Sequence, residues 1–250
     1  MITLQALTFG YAGQPEIFVD FDWQVEQGET WTVLGPSGCG KTSLLYLLAG
    51  LRAPTRGQVL IHGQPLTRPR PRSGLILQDY GLLPWATVRA NAALGLAVRS
   101  FYGPDGTHTP RNYQPAADES TWLTRLGLDE VADKFPAQLS GGQRQRTAIA
   151  RTLALQPDLL LMDEPFSALD AVTRADLQAL TRELCAEQNL TLVMVTHAIE
   201  EAASLGRKIL LLGHPPTRAP LIFENPTAGA PGDAAHQTLC KQLRQALEAA

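Results

Sequence analysis

Residues Gly35-Pro-Ser-Gly-Cys-Gly-Lys-Thr42 restrict the architecture of this chain more than any other stretch, since they satisfy G-x-x-x-x-G-K-S/T at every fixed position. Glycines 35, 38 and 40 permit a concave backbone nest whose N–H groups point inward, and anionic oxygens fill such a nest. Thr30-Trp-Thr-Val-Leu34 before it reads as a buried strand, and Ser43-Leu-Leu-Tyr-Leu-Leu-Ala49 after it as a helix closed by Gly50. A strand feeding a helix through this loop predicts an α/β fold, with the helix aiming its positive end at phosphate oxygens. Lys41 then reaches the β- and γ-phosphates, and the Thr42 hydroxyl is placed to coordinate Mg²⁺. Pro36, Ser37, Cys39 and Ser43 complete the nucleotide-binding stretch. Cys39 lies near a helix N-terminus, where a thiol pKa is lowered, so alkylation is expected to block nucleotide binding and nucleotide to protect.

Three further strands end in polar groups. Asp158-Leu-Leu-Leu-Met-Asp163-Glu164 has the form of a buried parallel strand delivering acids to a sheet's C-terminal edge. Beside a phosphate loop, Asp163 is the expected second Mg²⁺ contact, and Glu164 is placed to orient and deprotonate a water molecule. Asn189-Leu-Thr-Leu-Val-Met-Val-Thr-His197 is another buried strand, and its terminal histidine reads locally as a satisfied structural residue. Gly74-Leu-Ile-Leu-Gln78 ends a third strand at Gln78, where open α/β sheets make ligand contacts. Ser140-Gly-Gly-Gln143 is a capping box ahead of a helix that Pro157 terminates, and its two glycines expose backbone N–H groups as a second anion-binding end. Tyr11 is either a core aromatic or a ring that stacks on a nucleobase.

The remaining sequence sets the frame. At 250 residues, 44% hydrophobic, with net charge −3, the chain suits one large domain or two tightly joined lobes. No run approaches the roughly 18 apolar residues of a membrane span, and Met-Ile-Thr-Leu-Gln lacks the form of a signal segment, so a soluble, unexported chain is expected. Three widely spaced cysteines suggest neither a disulfide framework nor a zinc site. The mild negative charge gives no reason to expect nucleic acid on the surface. Residues 1 to 34 carry an antiparallel signature, with Phe21, Trp23 and Val25 facing one way and Asp22, Gln24 and Glu26 the other. Pro65 to Ser73, where Arg68, Arg70 and Arg72 alternate with prolines, reads as a solvated connector. Residues 86 to 98 and 120 to 126 are helical in pattern, and Tyr102 to Pro115 is a Gly/Pro-broken loop.

In order and spacing, Gly35–Thr42, Gln78, Leu139–Gln143, Leu160–Glu164, Ser167-Ala-Leu-Asp170 and His197 resemble the nucleotide-binding subunit of ABC transporters, with Leu-Ser-Gly-Gly-Gln as the decisive part. The resemblance covers residues 1 to 212 and implies a P-loop NTPase (RecA-like) core, an antiparallel β subdomain, a helical subdomain inserted at about 86–155, and a short C-terminal extension over 213–250. It implies ATP and Mg²⁺ as cofactors and a head-to-tail homodimer in which Ser140, Gly142 and Gln143 of one copy reach the γ-phosphate held by the other. It assigns Glu164 as general base, His197 to the γ-phosphate, Gln78 to Mg²⁺ and the attacking water, Asp170 to the link between the two sites, and Tyr11 to adenine.

The same resemblance implies transmembrane permease subunits as partners, indirectly a secreted or periplasmic solute-binding protein, and a peripheral position on the cytoplasmic face of the membrane. Leu82-Leu83-Pro84-Trp85 is either a docking patch for the permease or part of the helical subdomain's packing. Leu-Leu-Pro-Trp with Asn91 and Ala93–Leu96 looks like the importers of nitrate, taurine, other sulfonates and thiamine-precursor pyrimidines. The competing class, soluble ABC ATPases acting in DNA repair or on ribosomes, carries coiled-coil or zinc insertions or tandem cassettes that are missing here, and no N-K-x-D motif marks a GTPase.

Overall fold

A computed structural model describes residues 1–101, 118–229 and 232–249. The expected loop over Tyr102 to Pro115 lies outside the described residues. Alternating side chains make the first layer. Strand β1 (Ile2–Gly10) pairs antiparallel with β2 (Glu16–Val25), matching Ile2 with Val25 and Leu4 with Trp23. This register turns Phe21, Trp23 and Val25 inward and leaves Asp22, Gln24 and Glu26 exposed, because a pleated strand sends successive side chains to opposite faces.

β3 (Thr30–Leu34) leaves this layer and runs through the phosphate loop into α1 (Lys41–Leu48). β4 (Arg56–Ile61) and β5 (Gln64–Pro65) return to the antiparallel layer, giving the order β2-β1-β4-β5. β6 (Ser73–Ile76) then starts the edge of a second sheet, followed by α2 (Val88–Phe101), α3 (Glu119–Arg125) and α4 (Gly141–Leu153). β7 (Leu159–Asp163), α5 (Ala171–Glu187), β8 (Thr191–Thr196), α6 (Ile199–Leu205), β9 (Lys208–Leu211), β10 (Leu221–Glu224) and α7 (Ala234–Ala249) complete the chain.

The second sheet has the order β10-β9-β3-β8-β7-β6. Its parallel core explains the unbroken apolar runs, since strands covered on both faces have no polar side: β7 and β8 are buried at every residue. Parallel pairing in this order sets the loops after β3, β7 and β8 side by side, with Leu34 opposite Thr196 and Asp163 opposite Val195. One apolar cluster joins the antiparallel layer, α1 and one face of the parallel sheet, and another joins the opposite face to α2, α3, α4 and α5.

Two expectations change. The arginine-proline segment is anchored: Arg70 grips Asp158 with two hydrogen bonds, 2.9 Å to Oδ1 and 2.8 Å to Oδ2, while Arg72 and His62 approach the same carboxylate at 3.5 and 3.3 Å. Arg68 and Arg72 remain exposed, so the solvated reading fails chiefly at Arg70. The Leu82–Trp85 run splits. Leu82 packs against the helical cluster, whereas Trp85 is 74% exposed. Asn91, fully buried, fixes that turn by bonding the N–H and C=O of Leu83 and the carbonyls of Ala86 and Thr87.

The segment after Gly213 is tied to both sheets. Thr217 bridges to Phe18 beside β2, β10 pairs antiparallel with β9, and α7 packs its Leu239 and Leu243 against α6. Among the described residues no helix is long and apolar enough to cross a membrane.

Candidate nucleotide-binding site

The loop after β3 is held by backbone geometry. Gly38 and Gly40 take φ of +81° and +102°, and Gly40 forms the N-terminal boundary of α1. That helix has no acidic residue in its first turn, which leaves its positive end free of competing charge. Lys41 is buried and its ammonium donates to the carbonyls of Gly35 and Pro36 at 2.7 and 2.9 Å. Around it lies a cleft of about 590 Å³ lined by Tyr11, Ser37, Gly38, Gly40, Lys41, Thr42, Ser43 and Glu164, together with Gln14, Pro15, Ile17 and Pro215. The last four escaped the sequence reading. Pro215 is carried there because Thr217 donates its N–H to Ile17 O at 2.8 Å, a pairing across the chain that no local pattern announces.

Tyr11 stands at the cleft with its hydroxyl 3.1 Å from Ser43 Oγ, its ring edge-on to Phe9 at 5.2 Å and the Arg52 guanidinium 5.8 Å from its centroid. The ring is thus tethered and partly buried, packed against the apolar cluster on one side and lining the cleft on the other.

Cys39 overturns its expectation. The thiol is turned away from the cleft, 1% exposed, into the space that a side chain on Gly35 would fill: a Cβ there would stand 2.6 Å from Cys39 Sγ. Burial pushes this thiol up despite the nearby Lys41 charge. The Lys41 charge and the Lys41 N–H at the start of α1 do pull the thiol down, but desolvation in the core outweighs them.

At the far side of the cleft the strand ends converge. Thr42 Oγ1 donates to Asp163 Oδ1 at 3.3 Å. Burial, with the added charge of Glu164, raises the Asp163 pKa against the opposing pull of Thr42 and Lys41. Glu164 takes φ of +44°, a left-handed conformation that costs a non-glycine residue about 1 kcal/mol or more. Its N–H is fixed on Val195 O at 3.0 Å and its C=O on Ser167 Oγ at 3.0 Å. The result is that its carboxylate meets His197, with Oε2 3.0 Å from Nδ1. The histidine is 58% exposed, with Nδ1 partnered by Glu164. Gln78 is exposed in the turn after β6 and does not line the cleft. That turn is gripped from α4 by Arg151, which donates to Tyr80 O at 2.7 Å and Gly81 O at 2.6 Å.

The remaining candidates lie outside the cleft, at the starts of α4 and α5. Ser140 and Gln143 form the expected capping box: Ser140 Oγ accepts from Gln143 N at 3.2 Å, and Gln143 Oε1 accepts from Ser140 N at 3.0 Å. Gly142, however, is buried rather than exposed, because α5 packs on it; a Cβ there would stand 2.6 Å from Thr173 Cγ2. Asp170 caps α5, accepting from the N–H of Val172 and Thr173 and from Thr173 Oγ1. These hydrogen bonds, led by the one from the Thr173 N–H, hold its carboxyl below the usual range.

Comparison with known proteins gives one consistent set. The family model described as "ABC transporter" matches residues 18–167. The chain is 41% identical over 214 residues to a taurine import ATP-binding protein of Pseudomonas aeruginosa, covering 85% of this chain and 78% of that one. It is 34% identical over 238 residues to an aliphatic sulfonates import ATP-binding protein of Bacillus cereus, covering 94% and 90%. It is 46% identical over 197 residues to a bicarbonate transport ATP-binding protein of Synechococcus elongatus, but spans only 28% of that protein's length. Among solved structures, a dimeric ATP-binding cassette in a post-hydrolysis state bound to ADP and Pi superposes with a TM-score of 0.72 at 28% identity, over 90% of this chain and 98% of that one.

Proposed function

Because this chain belongs to the ABC transporter family of ATP-binding proteins, we propose that it hydrolyses ATP in the Tyr11 cleft and drives import of a small solute through a separate transmembrane permease. The observation that carries this reading is the convergence at one end of the cleft: Thr42 stands 3.3 Å from Asp163, and Glu164 stands 3.0 Å from His197. Adenine stacks on the tethered Tyr11 ring, and the phosphates enter the nest at the start of α1. Lys41 turns from the Gly35 and Pro36 carbonyls to the phosphates.

A buried carboxylate raised in pKa beside a hydroxyl suits a hard divalent cation, so Thr42 and Asp163 would hold Mg²⁺, whereas Gln78, exposed outside the cleft, is not placed to join them. Bound there, the cation neutralises phosphate charge. Glu164 orients the attacking water and takes its proton. His197, engaged through Nδ1 by Glu164, presents Nε2 to the γ-phosphate.

A second copy, packed head to tail, supplies Ser140, Gly142 and Gln143 to the γ-phosphate, and Asp170 links the two sites. Trp85 offers the permease an apolar foothold, which keeps the chain peripheral on the cytoplasmic face of the membrane. The cargo is a small anion or organic nutrient, such as nitrate, taurine or another sulfonate, delivered by a secreted solute-binding protein. The relatives named for taurine and sulfonate import favour this over an ATPase of DNA repair or ribosomes. Glu164→Gln tests the core of the reading. It is expected to bind ATP, trap a dimer and lose about 10²–10⁴-fold in turnover, the usual contribution of a positioned base. Unchanged ATPase rates refute it.

A further inference from the structure

Glu201 is a carboxylate in an apolar place. It lies in the first turn of α6, 4% exposed, next to Ala202 and Ala203 of an apolar cluster. Its two oxygens face different elements. Oε2 accepts a hydrogen bond from Thr196 Oγ1 at 2.7 Å, and Thr196 is the residue before His197. The same threonine oxygen accepts the N–H of Ala198 at 3.1 Å, so the histidine is bracketed on both sides. Oε1 faces Arg174 Nε of α5 at 3.7 Å, outside hydrogen-bond reach, and that buried Nε has no acceptor. Arg174 in turn holds the start of α5: Nη2 donates to Leu169 O at 2.8 Å and its N–H to Asp170 O at 2.9 Å.

No step of the hydrolysis uses Glu201. A glutamine would satisfy Thr196 without placing a charge in the core, and burying a charge is costly unless it is paired. The charge acquires a purpose through Arg174, whose open Nε lies just beyond contact.

We propose that Glu201 is a positioning residue that sets His197 relative to Asp170, so that closure of the Arg174–Glu201 gap and seating of the histidine over the γ-phosphate occur together. The inference rests on the reading of His197 as a phosphate-facing group. The test compares Glu201→Gln, Glu201→Ala, Arg174→Met and the Glu201→Gln/Arg174→Met double variant, each as the full chain, by ATP turnover and KM. Glu201→Ala is expected to lower kcat by about 100-fold, the effect of roughly 1 Å of misplacement, with KM changed by less than about 3-fold. The isosteric Glu201→Gln, which keeps the Thr196 bond, is expected to lower kcat by about 10-fold, with the double variant no worse than either single one. Wild-type kcat in Glu201→Ala, or additive losses in the double variant, overturns the proposal. A crystal structure of Glu201→Ala decides it independently of hydrolysis: displacement of His197 from Glu164 supports it, and retention of the 3.0 Å contact overturns it. Absence of turnover in the wild-type chain counts against the ATPase reading alone and leaves that structural criterion in force.

Discussion

Replacing Gly142 by alanine sets helix propensity against contact. Glycine in a helix costs up to about 1 kcal/mol relative to alanine, and position 142, in the first turn of α4, stands to gain about 0.5 kcal/mol from the change. Against this, the new methyl would come within 2.6 Å of Thr173 Cγ2. Rotating Thr173 away is not free, because its Oγ1 is committed to Asp170 Oδ2 at 2.7 Å. Forcing a methyl into a filled contact costs about 1–3 kcal/mol, so the net change is a destabilisation of about 1–2 kcal/mol. For a chain of this length that lowers Tm by about 3–6 °C in differential scanning calorimetry. Thr173→Ser removes Cγ2 and keeps the hydroxyl, and in that background Gly142→Ala should instead raise Tm by about 1–2 °C. The sign reversal is the diagnostic. Equal effects of Gly142→Ala in both backgrounds would refute the packing account of this glycine.

Arg70→Ala strips two hydrogen bonds from Asp158 but leaves Arg72 and His62, so a loss of about 1–2 kcal/mol is expected in urea unfolding. Burial would push Asp158 up, yet the Arg70 hydrogen bonds and charge, with His62 and Arg72, hold it below the ordinary aspartate value. Stability from a depressed carboxylate is present above its unfolded pKa and disappears as pH falls through the folded value. Arg70→Ala should therefore move the acid-unfolding midpoint to higher pH, and an unmoved midpoint would contradict the pairing. Alkylation of Cys39 by iodoacetamide at pH 7 should be no faster than unfolding, and ATP should slow it only as far as nucleotide binding stabilises the fold, because burial both raises the thiol and shields it. Rapid labelling read by mass spectrometry would reverse that conclusion. Cys185, pushed up to about 12 by burial alone, should likewise label only on unfolding.

Legibility followed the range of the interaction. The phosphate loop, the Ser140–Gln143 box and the acids closing β7 were plain in the sequence because each is specified within about eight residues by backbone chemistry. Hydrophobic period marked individual strands and helices, and the family resemblance supplied the rest of the frame, the helical subdomain included. Contacts bridging distant segments were not. The Arg70–Asp158 pair spans 88 positions, and a proline-rich context disguised it as a solvated connector. The edge strand β10, only four residues long, carries too short a pattern to stand out. The direction a side chain takes was equally hidden: Cys39 occupies the expected loop yet points its sulfur inward, and the burial of Gly142 depends on a helix that begins almost thirty residues later.

The grip of Arg151 on the turn after Gln78 has a mechanical corollary. α4 contains 13 residues, a rod of about 20 Å at the standard rise, with Ser140 at one tip and that arginine near the other. Displacing the Tyr80–Gly81 corner therefore displaces the Ser140 cap with it, since one helix carries both.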